Sequence, residues 1–368
     1  MHTLDFELEL KEKIKDIEVV DPDKMREAYG YIDSLIKPPK SLGKLEKIAI
    51  SLAGITGQVK NELKKKRIIV LCADNGVTCE GVSSAPVSVT ASQAVNMTKG
   101  ITGMSSMARH FGIETEIVDV GIATDYNCEQ VLDRKIRKGT GNIAIEPALT
   151  REEVLRAILV GMECADRAFI DKVDVLGVGE MGIGNTTTSA AVLAAISGTM
   201  AEDVVGRGGG LTDDAFQKKI SVVEKALNRF LSSGSDKGDI IDILSELGGL
   251  DIAAMCGVFL GAAKNRIPVV IDGYISVVAA LCACRLNEKV AGYLFPSHES
   301  KEKGYKIAIS MLGLKPWFNL DMGLGEGSGC VIAFQIMEAA CAFVCNMGTF
   351  KSGGICDDYL EDIRKQEK

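Results

Sequence analysis

Two glutamates stand on glycine-flanked turns, each next to a run of small and apolar residues. Glu180 lies within Gly177-Val-Gly-Glu-Met-Gly-Ile-Gly-Asn-Thr-Thr-Thr-Ser189, and Glu326 within Leu320-Asp-Met-Gly-Leu-Gly-Glu-Gly-Ser-Gly329. A carboxylate between glycines can approach a ligand closely. Once partly desolvated, such a group titrates nearer neutrality, which suits a general base. The competing reading is charge complementation at a helix start, a common role for glutamate. After Glu180 the chain enters Ala190-Ala-Val-Leu-Ala-Ala-Ile196, which reads as helix. Asn185 or Thr186 would cap it, leaving free backbone N–H groups able to hold an anion. Gly182, Gly184, Asn185 and Thr186 are therefore candidate ligand contacts, and a plain tight turn is the alternative. No Lys precedes the Ser/Thr as a nucleotide-triphosphate loop requires. Arg207, in the glycine cluster Gly206-Arg-Gly-Gly-Gly210, is suited to grip a phosphate or carboxylate, or to serve as a surface cation.

These loops need a scaffold. Short β-branched runs alternate with longer helical patterns from Arg67 onward, with strands expected at Ile68–Cys72, Glu116–Val120, Val173–Leu176, Pro268–Ile271 and Val290–Phe295. The alternation implies βαβ units and a mostly parallel sheet. Each strand runs into polar or glycine residues: Asp74, Asp119, the Glu180 loop, Asp272 and Glu299. Singly, each Asp reads as a cap or turn residue. Together they mark the carboxyl edge, where open α/β sheets bind ligands. Residues 5–65 are charged and helical in pattern, broken at Lys37-Pro-Pro-Lys40, and Ser232 to Asp239 reads as a surface loop.

Composition narrows the class. The 368 residues are 46% hydrophobic with a net charge of −8, which suits a soluble globular protein and argues against a nucleic-acid partner. The acidic start has no signal-peptide plan, and the longest uninterrupted apolar run, Ala253–Ala263, is about half of what a bilayer span requires. A cytoplasmic location without membrane attachment is expected. The eleven cysteines form no CxxC pair, and His2, His110 and His298 are scattered, so reduced core cysteine is expected rather than a metal site. A dinucleotide-binding dehydrogenase is excluded because no glycine fingerprint follows the first strand with an acid ~20 residues on.

Eight motifs in order resemble the nicotinate-nucleotide:dimethylbenzimidazole phosphoribosyltransferase family. They are Lys37-Pro-Pro-Lys-Ser-Leu-Gly-Lys-Leu-Glu46, Ala73-Asp-Asn-Gly-Val-Thr-Cys-Glu-Gly-Val-Ser83, Gly179-Glu-Met-Gly-Ile-Gly-Asn-Thr-Thr187, Gly206-Arg-Gly208, Leu247-Gly-Gly-Leu-Asp-Ile-Ala-Ala-Met-Cys-Gly257, Ile271-Asp-Gly273, Ser297-His-Glu-Ser300 and Leu324-Gly-Glu-Gly-Ser-Gly329. The resemblance implies transfer of the phosphoribosyl group of nicotinate mononucleotide to a benzimidazole nitrogen, with inversion at C1′ and no metal or cofactor. It makes Glu326 the proton acceptor and Glu180 a supporting acid. Gly182–Thr187 would hold the phosphate or ribose, and Ser83 and Gln93 would line the base pocket, with Asp74 a further candidate contact. It also implies a Rossmann-like, mostly parallel sheet flanked by helices (residues 66–330), with a small helical domain from segments 1–65 and 331–368, and a homodimer whose partner helps close the site.

Four positions depart from the family pattern: Asn75 in place of a His, Gly323 in place of an Arg, Tyr305 in place of a His, and Ala85 where an aromatic residue often precedes Pro86. Losing an aromatic ring removes a stacking partner for the base. The same transferase acting on a purine or phenol is therefore one alternative. The other is a non-catalytic mononucleotide-binding relative, against which the retention of Glu326 speaks.

Overall fold

The run Lys66–Ala73 is buried at every position, as a strand covered on both faces must be. In the computed structural model, which describes residues 3–360 and 363, this run is β1, the centre of a six-stranded sheet. The others are β2 (Glu114–Gly121), β3 (Leu132–Asp133), β4 (Val175–Met181), β5 (Val269–Ile271) and β6 (Leu294–Pro296). All neighbouring pairs are parallel and the order is β3-β2-β1-β4-β5-β6. The order reverses between β1 and β4, and a doubly wound sheet opens its binding crevice at that point. The α/β expectation holds.

Two expected strands moved. The Val173–Leu176 run continues as β4 through Gly177, Gly179 and Glu180, so part of the glycine-rich stretch is strand, not turn. Its glycines are needed because other parts of the chain lie on them. A Cβ at Gly177 would sit 2.7 Å from that of Cys330, and one at Gly179 would strike the backbone of Glu326. In the Val290–Phe295 run, Glu288–Tyr293 forms a 3-10 helix and the strand starts at Leu294. β3 was not anticipated; two residues are too few to show a periodicity.

The helix Leu250–Lys264 is buried from Leu250 to Ala263 and packs against Arg151–Ile170. Glycines bring the two backbones into contact: a Cβ at Gly161 would collide with the Ala254 carbonyl oxygen, and one at Gly257 with that of Ile158. Gly257→Ala is expected to cost about 3 kcal/mol through overpacking, read as a lowered urea midpoint with an unchanged slope.

The helix Ser328–Asn346 passes length and hydropathy tests for a bilayer span, yet more than half of it is buried, against β4, β5 and the helix Lys44–Thr56. Helices Thr3–Lys15, Pro22–Asp33 and Lys44–Thr56 lie either side of the Lys37-Pro-Pro break. Their end meets the far end of the chain, where Leu35 bridges Thr349 and Phe350 N–H donates to the Ser34 carbonyl at 3.0 Å. Residues 1–2, 361–362 and 364–368 of the two terminal segments, His2 among them, lie outside the described residues. Cys72, Cys164, Cys256, Cys282, Cys330 and Cys341 are buried, and all eleven cysteines are free.

Candidate active site

Beyond the carboxyl ends of β1, β4 and β5 a cleft opens, walled by the two glutamate loops, the 206–211 glycine loop and segment 82–93. Glu180 is the next-to-last residue of β4, paired in register with Leu71 of β1, and its side chain is buried on the cleft wall. Burial and the nearby Asp251 carboxylate push it up to about 8, against a hydrogen bond from Asn185 that works the other way.

The Glu326 turn is unusual backbone. Gly325, Glu326 and Gly327 follow one another at φ of 86°, 64° and 92°, a left-handed run that costs a non-glycine residue about 1–2 kcal/mol. Asp272, at the end of β5, offsets this cost. Its Oδ2 accepts from Gly327 N–H at 3.0 Å and its Oδ1 from Gly329 N–H at 2.6 Å, which secures the start of the helix Ser328–Asn346. Desolvation pushes Asp272 up to about 7 despite these bonds. The Glu326 side chain, 3% exposed, accepts from Met104 N–H at 3.1 Å through Oε2. Only one of its oxygens is thus held by the protein backbone of the helix Gly103–His110, and the carboxylate lines the cleft.

At the glycine-loop part of the cleft a buried ammonium stands beside a carboxylate. Lys219 is fully buried; its ammonium donates to Thr186 Oγ1 at 2.8 Å and to the Gly206 carbonyl at 3.0 Å. Desolvation pulls it down to about 8. Beside it Gly208 N–H donates to Glu302 at 2.9 Å, while the second Glu302 oxygen is buried without a partner. His298, on the wall near Asp272, is held at about 4 by burial and so stays neutral.

The structure gathers most of the expected residues. Glu180, Glu326, Gly182, Gly184, Asn185, Thr186, Arg207, Ser83 and Gln93 all line the cleft. Local roles differ from expectation at the helix cap and at Asp74, while Arg207 takes the surface-cation role offered as its alternative. Gly184, at φ of 95°, is the cap of the helix Asn185–Ser197, not Asn185 or Thr186; the Asn185 amide is turned to Glu180 and Asp251 instead. Arg207 already grips a carboxylate of its own chain, Asp213, donates to the Leu211 carbonyl at 2.8 Å and stacks on Phe216. Asp74 does not line the cleft. Its carboxylate accepts from Ala123 N–H at 2.8 Å, tying the end of β1 to the loop after β2. Of the departures, Asn75 accepts from Thr188 at 3.3 Å inside the core, Gly323 lies against the Lys301 stem, the Tyr305 hydroxyl is buried without a partner, and Ala85 faces the cleft.

Sequence reading missed Lys219, Asp251 and the clamp made by Asp272. Lys219 left one signal: it interrupts the apolar face formed by Phe216, Val222, Val223 and Ala226 of the helix Asp213–Ser232. A lysine on the inner stripe of an amphipathic helix is expected to have a partner.

Comparison with known proteins identifies the family. Residues 17–355 match the model of a family described as Phosphoribosyltransferase. A nicotinate-nucleotide–dimethylbenzimidazole phosphoribosyltransferase of Clostridium perfringens is 51% identical over 358 residues, 97% of this chain and 98% of that one. The Escherichia coli protein of the same name is 42% identical over 348 residues, covering 94% and 96%. The crystal structure of CobT from Thermus thermophilus superposes with a TM-score of 0.87 at 37% identity, covering 91% of this chain and all of that one. The chain belongs to the nicotinate-nucleotide–dimethylbenzimidazole phosphoribosyltransferase family.

Proposed function

We propose that this chain transfers the 5-phosphoribosyl group of nicotinate mononucleotide to 5,6-dimethylbenzimidazole, giving nicotinate and α-ribazole 5′-phosphate. The observation that carries this reading is the polarity of the cleft: buried carboxylates at the sheet edge and a buried ammonium at the glycine-loop end. The donor has the matching polarity. Its 5′-phosphate is anionic, and at C1′ its glycosidic nitrogen is a cationic pyridinium, with the ring carboxylate on the far side of that nitrogen.

The phosphate would accept from Lys219 and from the amides of the 206–210 loop. C1′ then lies toward Glu180 and Glu326, whose charge favours the cationic character that develops as the glycosidic bond opens. One benzimidazole nitrogen attacks C1′ from the face opposite nicotinate, and the bonding pair leaves with the pyridine nitrogen, which becomes neutral. Glu326 takes the proton from the other benzimidazole nitrogen, so the product ring is neutral too. Ser83 and Gln93 flank the base. The Gln93 oxygen accepts from Asn96 at 3.3 Å, which leaves its NH₂ group for a ligand.

Segments 1–65 and 331–368 would form the small helical domain, supported by the Leu35–Thr349 bridge. A cytoplasmic homodimer accords with the family resemblance.

Purified protein with nicotinate mononucleotide and a panel of bases is expected to release nicotinate, fastest with a benzimidazole. No release with any base would overturn the reading. The wall Val82–Ala85, which carries no aromatic ring, favours including a purine and a phenol in the panel.

A further inference from the structure

Asp251 is fully buried at the second position of the helix Leu250–Lys264 and does not line the cleft. Its Oδ2 accepts from Asn185 Nδ2 at 3.1 Å, and the same NH₂ group donates to Glu180 Oε2. One amide with two hydrogens thus bridges carboxylates from a strand end and a helix start. The packing fixes the bridge. A Cβ at Gly182 would lie 2.5 Å from Asp251 Oδ2, and one at Gly249 2.5 Å from its Oδ1.

Among the described residues no cation pairs with these two carboxylates. Glu180 faces Asp251 across Asn185, Asp272 from β5 and the backbone N–H of Glu326, with the Cys72 thiol behind on β1. Asp251 faces, besides Glu180, the side chains of Asn185 and Asn75 and the Ile252 N–H, at 3.0 Å from Oδ1. Lys219 is turned away, toward Thr186 and Gly206. Two adjacent buried carboxylates joined by a neutral amide repel each other and lose hydration together, so their first ionisation hinders the second. Burial pushes Asp251 up to about 6 and Glu180 to about 8.

We propose that Asp251 is a positioning residue, that the Asp251–Glu180 pair, held together by the Asn185 amide, carries one proton, and that binding of the mononucleotide, with its cationic pyridinium ring at this pair, expels that proton to solvent. This rests on nicotinate mononucleotide being the donor. Only an O–H bond breaks: the proton goes to buffer, and the pair passes from one negative charge to two beside the pyridinium. When nicotinate leaves as a neutral pyridine, the pair recovers a proton from solvent. Because binding expels a proton, donor affinity rises with pH, by at most tenfold per unit, and levels off above about pH 8.

The test is calorimetric titration with nicotinate mononucleotide alone, at pH 7.5, in two buffers of different ionisation enthalpy. Wild-type enzyme is expected to release a substantial fraction of one proton, and Asp251→Asn clearly less while still binding. The comparison removes the contributions common to both proteins, from the donor's own phosphate and from Lys219, which takes up part of a proton when it meets that phosphate. Binding by the wild type without proton release overturns the proposal, whether or not the variant folds. Equal release by both proteins overturns the part assigned to Asp251. Absence of any binding heat with wild type would instead refute the donor assignment, and the proposal with it.

Discussion

Glu326→Gln is expected to lower kcat by ~10²-fold or more while leaving donor affinity within a few-fold. Glutamine can take the same left-handed position, and its carbonyl oxygen can still accept from Met104 N–H, as Glu326 Oε2 does at 3.1 Å. Asp272 would go on holding Gly327 and Gly329, so the turn keeps its shape. What is lost is the ability to accept a proton. The attacking benzimidazole would then carry a positive ring in a site that no longer offers a charge against it. Steady-state rates with saturating donor, beside donor affinity from direct titration, separate the two effects. A kcat within threefold of wild type would place the base elsewhere.

The second large effect is expected at the other end of the cleft. Lys219→Met should raise the KM for nicotinate mononucleotide by about 100-fold, since a buried charge-assisted contact to phosphate contributes some 2–3 kcal/mol. Stability should change little, within about 1 kcal/mol. A buried ammonium carries a desolvation cost that methionine avoids, which offsets the loss of its bonds to Thr186 and the Gly206 carbonyl. A lysine present for structure alone would show the reverse: a lowered unfolding midpoint and an unaltered KM. Inorganic phosphate adds a check, because it should compete with the donor in the wild type and hardly at all in the variant.

Much of the site is legible in the sequence because its signals are local. Glycines beside an acid mark Glu180 and Glu326, and polar residues after β-branched runs mark the carboxyl edge of a sheet. The resemblance joined these into one reaction. Local reading went wrong where a glycine serves a distant neighbour. Gly177 and Gly179 looked like turn residues, but they lie inside β4 because Cys330 and the Glu326 backbone press on them from about 150 residues away. Asn185 looked like a cap for the same reason: in sequence nothing shows that Asp251 will arrive within 3.1 Å of its amide.

The alternation of strand and helix, the glycine-borne acids and the family can all be read along the chain. Each of these is written within a few residues, or in the order of short motifs. Tertiary structure alone decided how charge is arranged in the cleft. The β3-β2-β1-β4-β5-β6 order brings the ends of β4 and β5 together, sets Asp251 under Glu180 and Asp272 under the Glu326 turn, and buries Lys219 at the far end. Burial and the distance between charges set how strongly each group holds its proton, and both depend on which elements meet in space.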